Sequence, residues 1–395
     1  MSQLSLLLAL AGLAVAPAPQ DPQPVPQPEQ VPQAGGQRGY GGIVGTQDAR
    51  WMARSESRKV LGEFGGKALL DAWQGTWIWL SEQAPDEDVL MAAEDGRGVA
   101  LNALCALSMS GNGSGIRSGA QRDPYRVLTR TLRALQDAES GAYVAKDAKE
   151  AALDQALAVH CMAEATITNP VQALFDHNQR GVDALLAMRG EDELWHVGGK
   201  QDGPVDALAT GTAAYALLTA LDAGAEIAPE VFAPIAAWSA EAKAQGDDEA
   251  ERAVATVAIL TARIFAHQGL AQGLKDDARV RELLAALDPW LPSPGSDAQP
   301  ASDGLAARND FAYLASVALY QADNVRWNRL FTWIAEHAVA DTGAVPTGPI
   351  VVSANDGLPA AQNGRLPSGA VATTALRMLQ LQSAFREPAL AVFAN

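Results

Sequence analysis

A four-residue phrase, Ala-Leu/Val-Ala-Thr, occurs three times in the chain and constrains its fold more than any other feature. The copies are residues 207–210, 253–256 and 370–373. The first copy lies in the alanine-rich stretch 205–224, which is apolar on nearly every side and ends at a glycine. A helix with that composition needs protein around most of its circumference. The repeat therefore predicts several buried helices of one kind, packed against each other.

Six apolar segments of this kind recur about every 54 residues, when segments that match the phrase only in outline are included. We place their starts near Val99, Ala151, Asp206, Arg252, Asn309 and Gly369. Segments with the alternating apolar and polar spacing of a surface helix precede or separate them. These are 53–82, 123–137, 169–188, 229–244, 276–287 and 324–339.

A period of this length fits a hairpin of two helices with its loops, and periodic helix pairs form solenoids or closed rings. Six apolar helices and six amphipathic ones predict an all-α (α/α)6 toroid, with the apolar helices inside and the amphipathic helices outside. A bent open solenoid is the structural alternative. It would have to expose to water faces that a ring buries, and the apolar segments offer few polar residues for that.

Composition supports an all-α core and excludes some partners. Hydrophobic residues make up 48% of the 395 residues, and alanine, the best helix former, dominates them. The formal charge is −17. Nucleic acids and anionic membrane surfaces are bound through cationic faces, so the charge argues against both as partners.

The amino-terminal residues predict export. Residues 1–18 read as a signal peptide or an uncleaved anchor, because 4–15 is an apolar run with about the length of a secretory signal's core and is too short to span a bilayer. Two features are untypical of a cleaved signal peptide and keep the anchor open: no Lys or Arg precedes that run, and proline follows each small-residue cleavage position. Residues 19–52 are rich in Pro and Gln and then in Gly, which predicts a linker. The toroid domain is expected to cover 53–395, in the periplasm or outside the cell.

Three fragments resemble the prenyltransferase and squalene-cyclase repeat superfamily, and most closely its bacterial members of unassigned activity. WHVGGKQDGPVDALATGTAAYAL (195–217) resembles the family's junction of an aromatic residue, a Gly-rich turn, an acid and an inner helix. VATTALRMLQLQSAFR (371–386) resembles the last inner helix, and NDFAYLASVALYQADNVRWNRLF (309–331) resembles the fifth helix pair. The resemblance covers roughly residues 55–390 and implies a terpenoid cyclase-like toroid.

The family's chemical motifs are missing from the places where the resemblance would put them. The chain lacks the Asp-x-Asp-Asp acid motif of squalene-hopene cyclases and a set of Asp, Cys and His spaced to hold zinc as in protein prenyltransferases. It also lacks the Gly-Cys-x-Glu-Gln motif of complement-type thioester domains, which share the toroid. The Gln-x-x-Asp-Gly-x-Trp repeats are reduced to QDAESGAY at 136–143 and ADTGAV at 340–345. His160 and Cys161 are neighbours on a helix and point to different sides. We therefore expect neither cyclase nor zinc-dependent prenyltransferase activity, and no metal or cofactor.

Polar residues on the apolar segments predict a ligand pocket at the ring axis. An inner helix has neighbours on both flanks and an outer helix behind it, so unpaired polar groups should face the axis. Counting from the fourth residue of each repeat phrase, the positions −4, 0, +4 and +7 share one face. The candidate ligand-binding residues on this face are Asp206, Thr210, Arg252, Thr256, Arg263, Tyr313, Tyr320, Thr373 and Arg377. Gln155, Asn309 and Gln380 share the face, and Asp154 and Asp310 lie one position from it.

A structural role for these residues stays open beside the pocket. Helical Thr often bonds to the preceding turn, and Asp206 and Arg252 at helix starts could be solvated ends or, for Asp206, a favourable charge on the helix dipole. His160 reads as a core or rim histidine. Cys105 and Cys161 read as reduced packing residues, with a single disulfide as the alternative. The predicted inner helices carry no tryptophan, whereas sugar-binding toroids and terpene cyclases place aromatic side chains near the axis.

Three functions compete. The first is an exported, non-catalytic binding or scaffold module whose partner is a protein, a glycan or a small lipid. The second is a polysaccharide-active enzyme of the toroid class, either a hydrolase or a lyase. Glycoside cleavage usually needs two carboxylates a fixed distance apart. The third is binding of an isoprenoid-like ligand with an anionic head group between Arg263 and Arg377. Membrane tethering is expected only through the amino-terminal segment.

Overall fold

The computed structural model describes residues 57–146, 148–199, 203–274, 276–292, 308–342 and 364–386. Twelve α-helices and no β-strand occur in these ranges, and His196 and Val205 form an isolated antiparallel bridge. The all-α prediction is therefore confirmed. The predicted signal or anchor (1–18) and linker (19–52) lie outside the described residues.

Six of the helices, here called the apolar helices, are buried along most of their length. Their starts lie within three residues of the predicted positions. They are α2 (Gly98–Gly111), α4 (Ala151–Thr168), α6 (Ala207–Asp222), α8 (Glu249–Gly269), α10 (Asn309–Ala322) and α12 (Ala370–Arg386). Every residue of α2 is buried, which agrees with a sequence that is apolar all round.

The other six, the covering helices, bury one side and expose the other. They are α1 (Ser57–Glu82), α3 (Arg122–Leu135), α5 (Gln172–Ala187), α7 (Ala233–Glu241), α9 (Ala278–Leu287) and α11 (Asn324–Thr342). In α3 the buried residues Tyr125, Leu128 and Leu132 recur at helical spacing, which makes one apolar stripe. A 3₁₀ turn, Pro229–Phe232, leads into α7.

The apolar helices pack in chain order and then return to the first. The described helix α2 packs on α4, α4 on α6, α6 on α8, α8 on α10 and α10 on α12, and α12 packs back on α2. The Gln382 side chain of α12 donates to the Ser108 carbonyl of α2 at 2.7 Å. Each of α3, α5, α9 and α11 lies against the apolar helix that precedes it. The described apolar helices thus form a cycle of contacts.

The first covering helix completes the outside of this cycle. Helix α1 packs on α11 and α12, helices that are far away in the chain. The Phe64 ring meets Trp327 and Phe331 of α11, with ring centroids 5.6 and 4.6 Å apart. The seam between the end and the beginning of the helical region is therefore held by aromatic packing.

Carboxylates fix the starts of three helices. Asp206, Asp248 and Asp277 each accept a hydrogen bond from the backbone N–H three residues later, at 2.7 to 3.0 Å. Such caps satisfy donors that the first turn of a helix leaves unpaired. The prediction that Asp206 suits the start of α6 is therefore confirmed.

Small residues let two of the apolar helices approach closely. A Cβ added at Gly211 of α6 would lie 2.6 Å from the Ala258 carbonyl oxygen of α8. Glycine is required there because a real Cβ cannot come so close to backbone. The alanine-rich sequence therefore sets the spacing of the apolar helices as well as their helicity.

The reduced repeat QDAESGAY at 136–143 ties helices together. The Gln136 amide donates to the Gly141 carbonyl at 3.1 Å and to the His177 carbonyl of α5 at 2.9 Å. The Tyr143 backbone N–H donates to the Gln155 side chain of α4 at 2.9 Å. The turn thus connects α3, α4 and α5. The second reduced repeat, ADTGAV at 340–345, runs beyond the described residues.

Candidate functional site

Three of the predicted ligand-binding side chains contact covering helices. The Arg263 guanidinium donates to Asp277, the cap of α9, at 3.1 Å. The Arg377 guanidinium lies over the Trp333 ring of α11, 5.4 Å from its centroid. The Tyr320 ring meets Trp327 of α11 edge-on at 5.4 Å. These side chains stabilise the packing of α9 and α11.

The two glutamines on the same predicted stripe also serve packing. Gln155 donates to the Gly181 carbonyl of α5 at 3.0 Å. Gln380 accepts from Arg377 at 2.8 Å and donates to Asn309 at 3.2 Å. Gln155 therefore points to a covering helix, and Gln380 joins α12 to α10.

The remaining candidates are dispersed. Thr210, Tyr313 and Thr373 are buried, and the Thr256 hydroxyl donates to the Arg252 carbonyl one turn back at 2.8 Å. Arg252 is exposed at the start of α8 and donates to the Gly246 carbonyl at 3.3 Å. The expectation of one shared polar stripe is not met, because the chosen face looks largely toward the covering helices. Of the nine candidates, Asp206 alone takes part in the site described next.

A cavity of about 660 Å³ opens where α2 and α4 begin, beside the segment that leads into α12. Its wall is partly apolar, with Leu90, Val99, Val144 and Leu366, and Tyr143 supplies the aromatic face. Its charged residues are Asp95, Arg97, Lys149, Glu150, Asp154 and Arg365. These residues come from the loops and first turns at the amino ends of the apolar helices.

Arg97 and Asp154 form the first ion pair of the cavity. Arg97 immediately precedes α2, and Asp154 lies in the first turn of α4. The Arg97 Nε donates to both Asp154 oxygens, at 3.0 and 3.2 Å, and Nη2 bonds to the same carboxylate. Burial raises the pKa of Asp154 above its ordinary value, while Arg97 opposes the rise and the nearby Glu150 and Asp95 add to it.

Arg365 forms the second ion pair and clasps two carboxylates at once. Its Nη1 and Nη2 donate to the two oxygens of Asp206, at 2.8 and 2.6 Å. Its Nε donates to Glu150 at 3.2 Å, and Nη2 also reaches that carboxylate. Glu150 immediately precedes α4 and Asp206 caps α6. Burial lowers the pKa of the Arg365 guanidinium, but the bonds to Asp206 and Glu150 raise it more, so it stays above its ordinary value.

Asp310 extends the network to α10. Its carboxylate is fully buried and accepts from Arg308 at 2.8 and 3.1 Å. The Arg365 backbone N–H also donates to it, at 3.4 Å. Gly364 lies against the Asp310 carboxylate with a φ of +56°, and a Cβ there would collide with it. Glycine is therefore needed for the chain to pass over Asp310.

Both arginines of the cavity are already paired with carboxylates of the same chain. Three cations and three carboxylates line it, and Asp206 adds a fourth carboxylate through Arg365. Because both arginines are engaged in bidentate pairs, neither offers an unoccupied fork to a phosphate or carboxylate ligand. The cavity therefore suits neutral or cationic groups better than anionic ones.

A second cavity, of about 440 Å³, lies on the other side of the 142–146 loop. Tyr143, Val144 and Ala145 line both cavities, and the second is otherwise bounded by the end of α3 and by Ala184, Ala187 and Met188. Asp137 is its only carboxylate among the described lining residues. The second cavity therefore has the simpler chemistry.

The other sequence predictions have these outcomes. His160 is buried, with its ring 4.3 Å from Tyr215, and Tyr215 stacks on Phe265, which fits the core role. Cys105 and Cys161 are buried free thiols. The described tryptophans lie on covering helices or near loops, as expected.

Sequence reasoning missed Arg97, Glu150 and Arg365. Asp154 and Asp310 were noted but lay one position from the chosen stripe. A signal for Glu150 existed, since a carboxylate directly before an apolar helix suits its dipole. Arg365 had none, because its partners lie 215 and 159 residues earlier in the chain.

Comparison with known proteins gives no assignment. No protein-family model matches the chain, and no curated protein matches its sequence. Among the described residues, no three His, Cys, Asp or Glu side chains are grouped to hold a metal ion. No helix in those ranges is long and apolar enough to cross a membrane.

Proposed function

We propose that the helical region is an (α/α)6 toroid that acts as a non-catalytic binding or scaffold module. The cycle of contacts among the described apolar helices supports the toroid, because an open solenoid would leave α2 and α12 apart. We further propose export, with residues 1–18 as the signal or anchor and 19–52 as the linker. The ligand site of this proposal is the 660 Å³ cavity at the amino ends of the apolar helices.

The observation that carries the binding assignment is the pairing of the cavity's carboxylates with arginines of the same chain. Asp154 is held by Arg97, and Glu150 and Asp206 are held by Arg365. A carboxylate clasped by a guanidinium is a poor base or nucleophile, because the pair must be broken before the carboxylate can react. An ion-paired wall with apolar patches supports recognition better than bond cleavage.

Filling the cavity tests the assignment. Ala148 lines the cavity and is exposed, so Ala148→Trp should obstruct the opening without disturbing the core. Ala240 on α7 is also exposed and does not line the cavity, which makes Ala240→Trp the matched control. Native mass spectrometry of the full chain, purified from its native envelope, should show a bound partner that Ala148→Trp loses and Ala240→Trp keeps. An identical bound set in both variants would reject the cavity as the site.

Polysaccharide cleavage remains the second candidate, and one observation favours it. Glu150 and Asp154 line the same cavity, and the pKa of Asp154 is raised mainly by burial. Glycosidases use a carboxyl group of raised pKa as the general acid. Asp154→Asn should then abolish release of reducing sugar from a panel of soluble polysaccharides, whereas Asp137→Asn at the second cavity should not. No release by the unmodified protein would exclude this candidate.

The isoprenoid alternative loses its basis in Arg263 and Arg377. Arg263 is paired with Asp277, and Arg377 lies over Trp333. Neither lines the described cavities. The two arginines supply no common site for an anionic head group, so we do not propose this function.

A further inference from the structure

The segment 364–368, Gly-Arg-Leu-Pro-Ser, lies across the amino ends of the apolar helices in the manner of a bound peptide. Its Arg365 side chain enters the clasp formed by Glu150 and Asp206. Its main chain is held as well, since the Arg365 carbonyl accepts from Arg97 and the Ser368 N–H donates to Asp95 at 3.2 Å. The segment therefore touches residues at the starts of α2, α4, α6 and α10.

The two carboxylates of the clasp are buried at the starts of packed helices, whereas the arginine that occupies it is partly exposed. Glu150 and Asp206 sit at the first turns of α4 and α6, which pack against each other. Their side chains are 8% and 4% exposed, whereas that of Arg365 is 35% exposed. The carboxylates are thus preorganised by the helices, and the guanidinium that fills them faces the cavity.

We propose that the Glu150–Asp206 clasp is a guanidinium-binding site that accepts an arginine side chain from an extended segment of a partner protein, and that Arg365 occupies it in cis. This inference rests on the proposed function, because it names the partner chemistry of the same cavity. Replacing one guanidinium by another leaves the charges and the bidentate bonds unchanged. Arg365 then has one advantage over an arginine of the partner, because its covalent attachment gives it a high effective concentration at the site.

The geometry selects arginine over other ligands. Two carboxylates presented to one planar fork match a guanidinium, whose donors form parallel bonds, better than a compact ammonium. The main-chain contacts of the segment add a reason to expect a peptide. A glycan would have Tyr143 as the one aromatic surface among the described lining residues.

The test empties the clasp and refills it. Arg365→Ala is made in the full chain, and binding of acetyl-Gly-Arg-Leu-Pro-Ser-amide is measured by calorimetry. We expect this peptide to bind the variant about tenfold or more tightly than it binds the unmodified protein, because the cis occupant no longer competes. The same peptide with citrulline in place of arginine, which lacks the charge, should bind neither. The arginine peptide should also raise the melting temperature of the variant.

A control variant distinguishes binding at the Glu150–Asp206 clasp from stabilisation by the peptide of any variant that has lost a paired arginine. Arg263→Ala removes a different arginine that is paired with a carboxylate, and the peptide should not raise the melting temperature of this variant. If Arg365→Ala does not fold, Arg365→Lys replaces it, since lysine keeps the charge and lacks the fork. Equal binding of the arginine and citrulline peptides, or binding of neither, would overturn the guanidinium assignment. If the guanidinium assignment failed in this way but the protein still bound a partner that Ala148→Trp loses, the proposed binding function would stand.

Discussion

Asp277 shows how one side chain can hold two elements together. It caps α9 through the Val280 N–H and pairs with Arg263 of α8. Burial alone would raise the pKa of Asp277, but the bonds from Arg263 and Val280 outweigh it and lower the pKa below its ordinary value. Ionisation of Asp277 therefore stabilises the folded state. The residue predicted to bind a ligand, Arg263, instead anchors a covering helix.

Asp277→Asn should destabilise the protein by about 2 kcal/mol at neutral pH, because asparagine can still cap the helix but cannot pair with the buried Arg263. The contribution of Asp277 is fully present above the ordinary carboxyl pKa of 3.8 and is lost as the pH falls through the lower folded value. Urea unfolding at pH 7 and at about pH 3 should therefore show the difference from the unmodified protein shrinking in acid.

The neighbouring acid provides the control. Asp276 and its partner Arg281 are both largely exposed, and exposed pairs contribute little. Asp276→Asn should unfold like the unmodified protein at both pH values, and asparagine accepts the positive φ of this position. Equal losses from the two substitutions would contradict the account.

At the scale of elements, the apolar helices were predictable, but the direction in which each faces was not. The contrast between apolar and amphipathic segments marked the helices, and Asp206 marked the start of α6. A helix that is apolar all round has no polar side to orient it, so the stripe through Gln155, Arg263 and Arg377 was assigned to the wrong side. Their partners on α5, α9 and α11 decide the orientation, and those contacts are tertiary.

Gly211→Ala should destabilise the protein by about 2 kcal/mol, although alanine is the better helix former. The added Cβ would meet the Ala258 carbonyl, and α6 and α8 would have to separate. The same substitution at Gly62 in α1, where the nearest atom is a Leu70 methyl at 3.6 Å, should be neutral or stabilising. Urea unfolding of both variants measures the difference, and a stabilised Gly211→Ala would show that the two helices can move apart freely.

At the scale of the whole molecule, the internal repeat predicted the two kinds of helix that the described residues form, while the network at the amino ends of the apolar helices could not be predicted. The clasp of Arg365 depends on which residues distant in the chain become neighbours, and a repeat of helices does not specify its loops. Glu150, Asp206 and Asp310 all lie where apolar helices begin. If those helices are parallel, their starts lie at one end, so the three carboxylates could have been expected to lie close together. Arg365 lies outside the helices, in a segment whose sequence has no repeat pattern that would place it there.

Removal of α12 tests whether the described cycle is required. A chain that ends at Gly369 should lose its single cooperative unfolding transition and form oligomers, because α2 and α10 would both expose apolar faces. Size-exclusion chromatography and thermal unfolding followed by circular dichroism measure this. A chain that ends at Arg386 keeps α12 and should behave like the 395-residue chain. A truncated monomer with only a slightly lower melting temperature would indicate a solenoid, whose terminal repeats are dispensable.

The packing of α1 on α11 and α12 has a kinetic consequence. The Phe64 ring finds Trp327 and Phe331 only after more than 260 further residues have been synthesised. Native contacts between such distant parts of a chain slow folding. A nascent chain leaves the apolar side of α1 uncovered until α11 and α12 have been synthesised, which makes α1 a candidate binding segment for a chaperone.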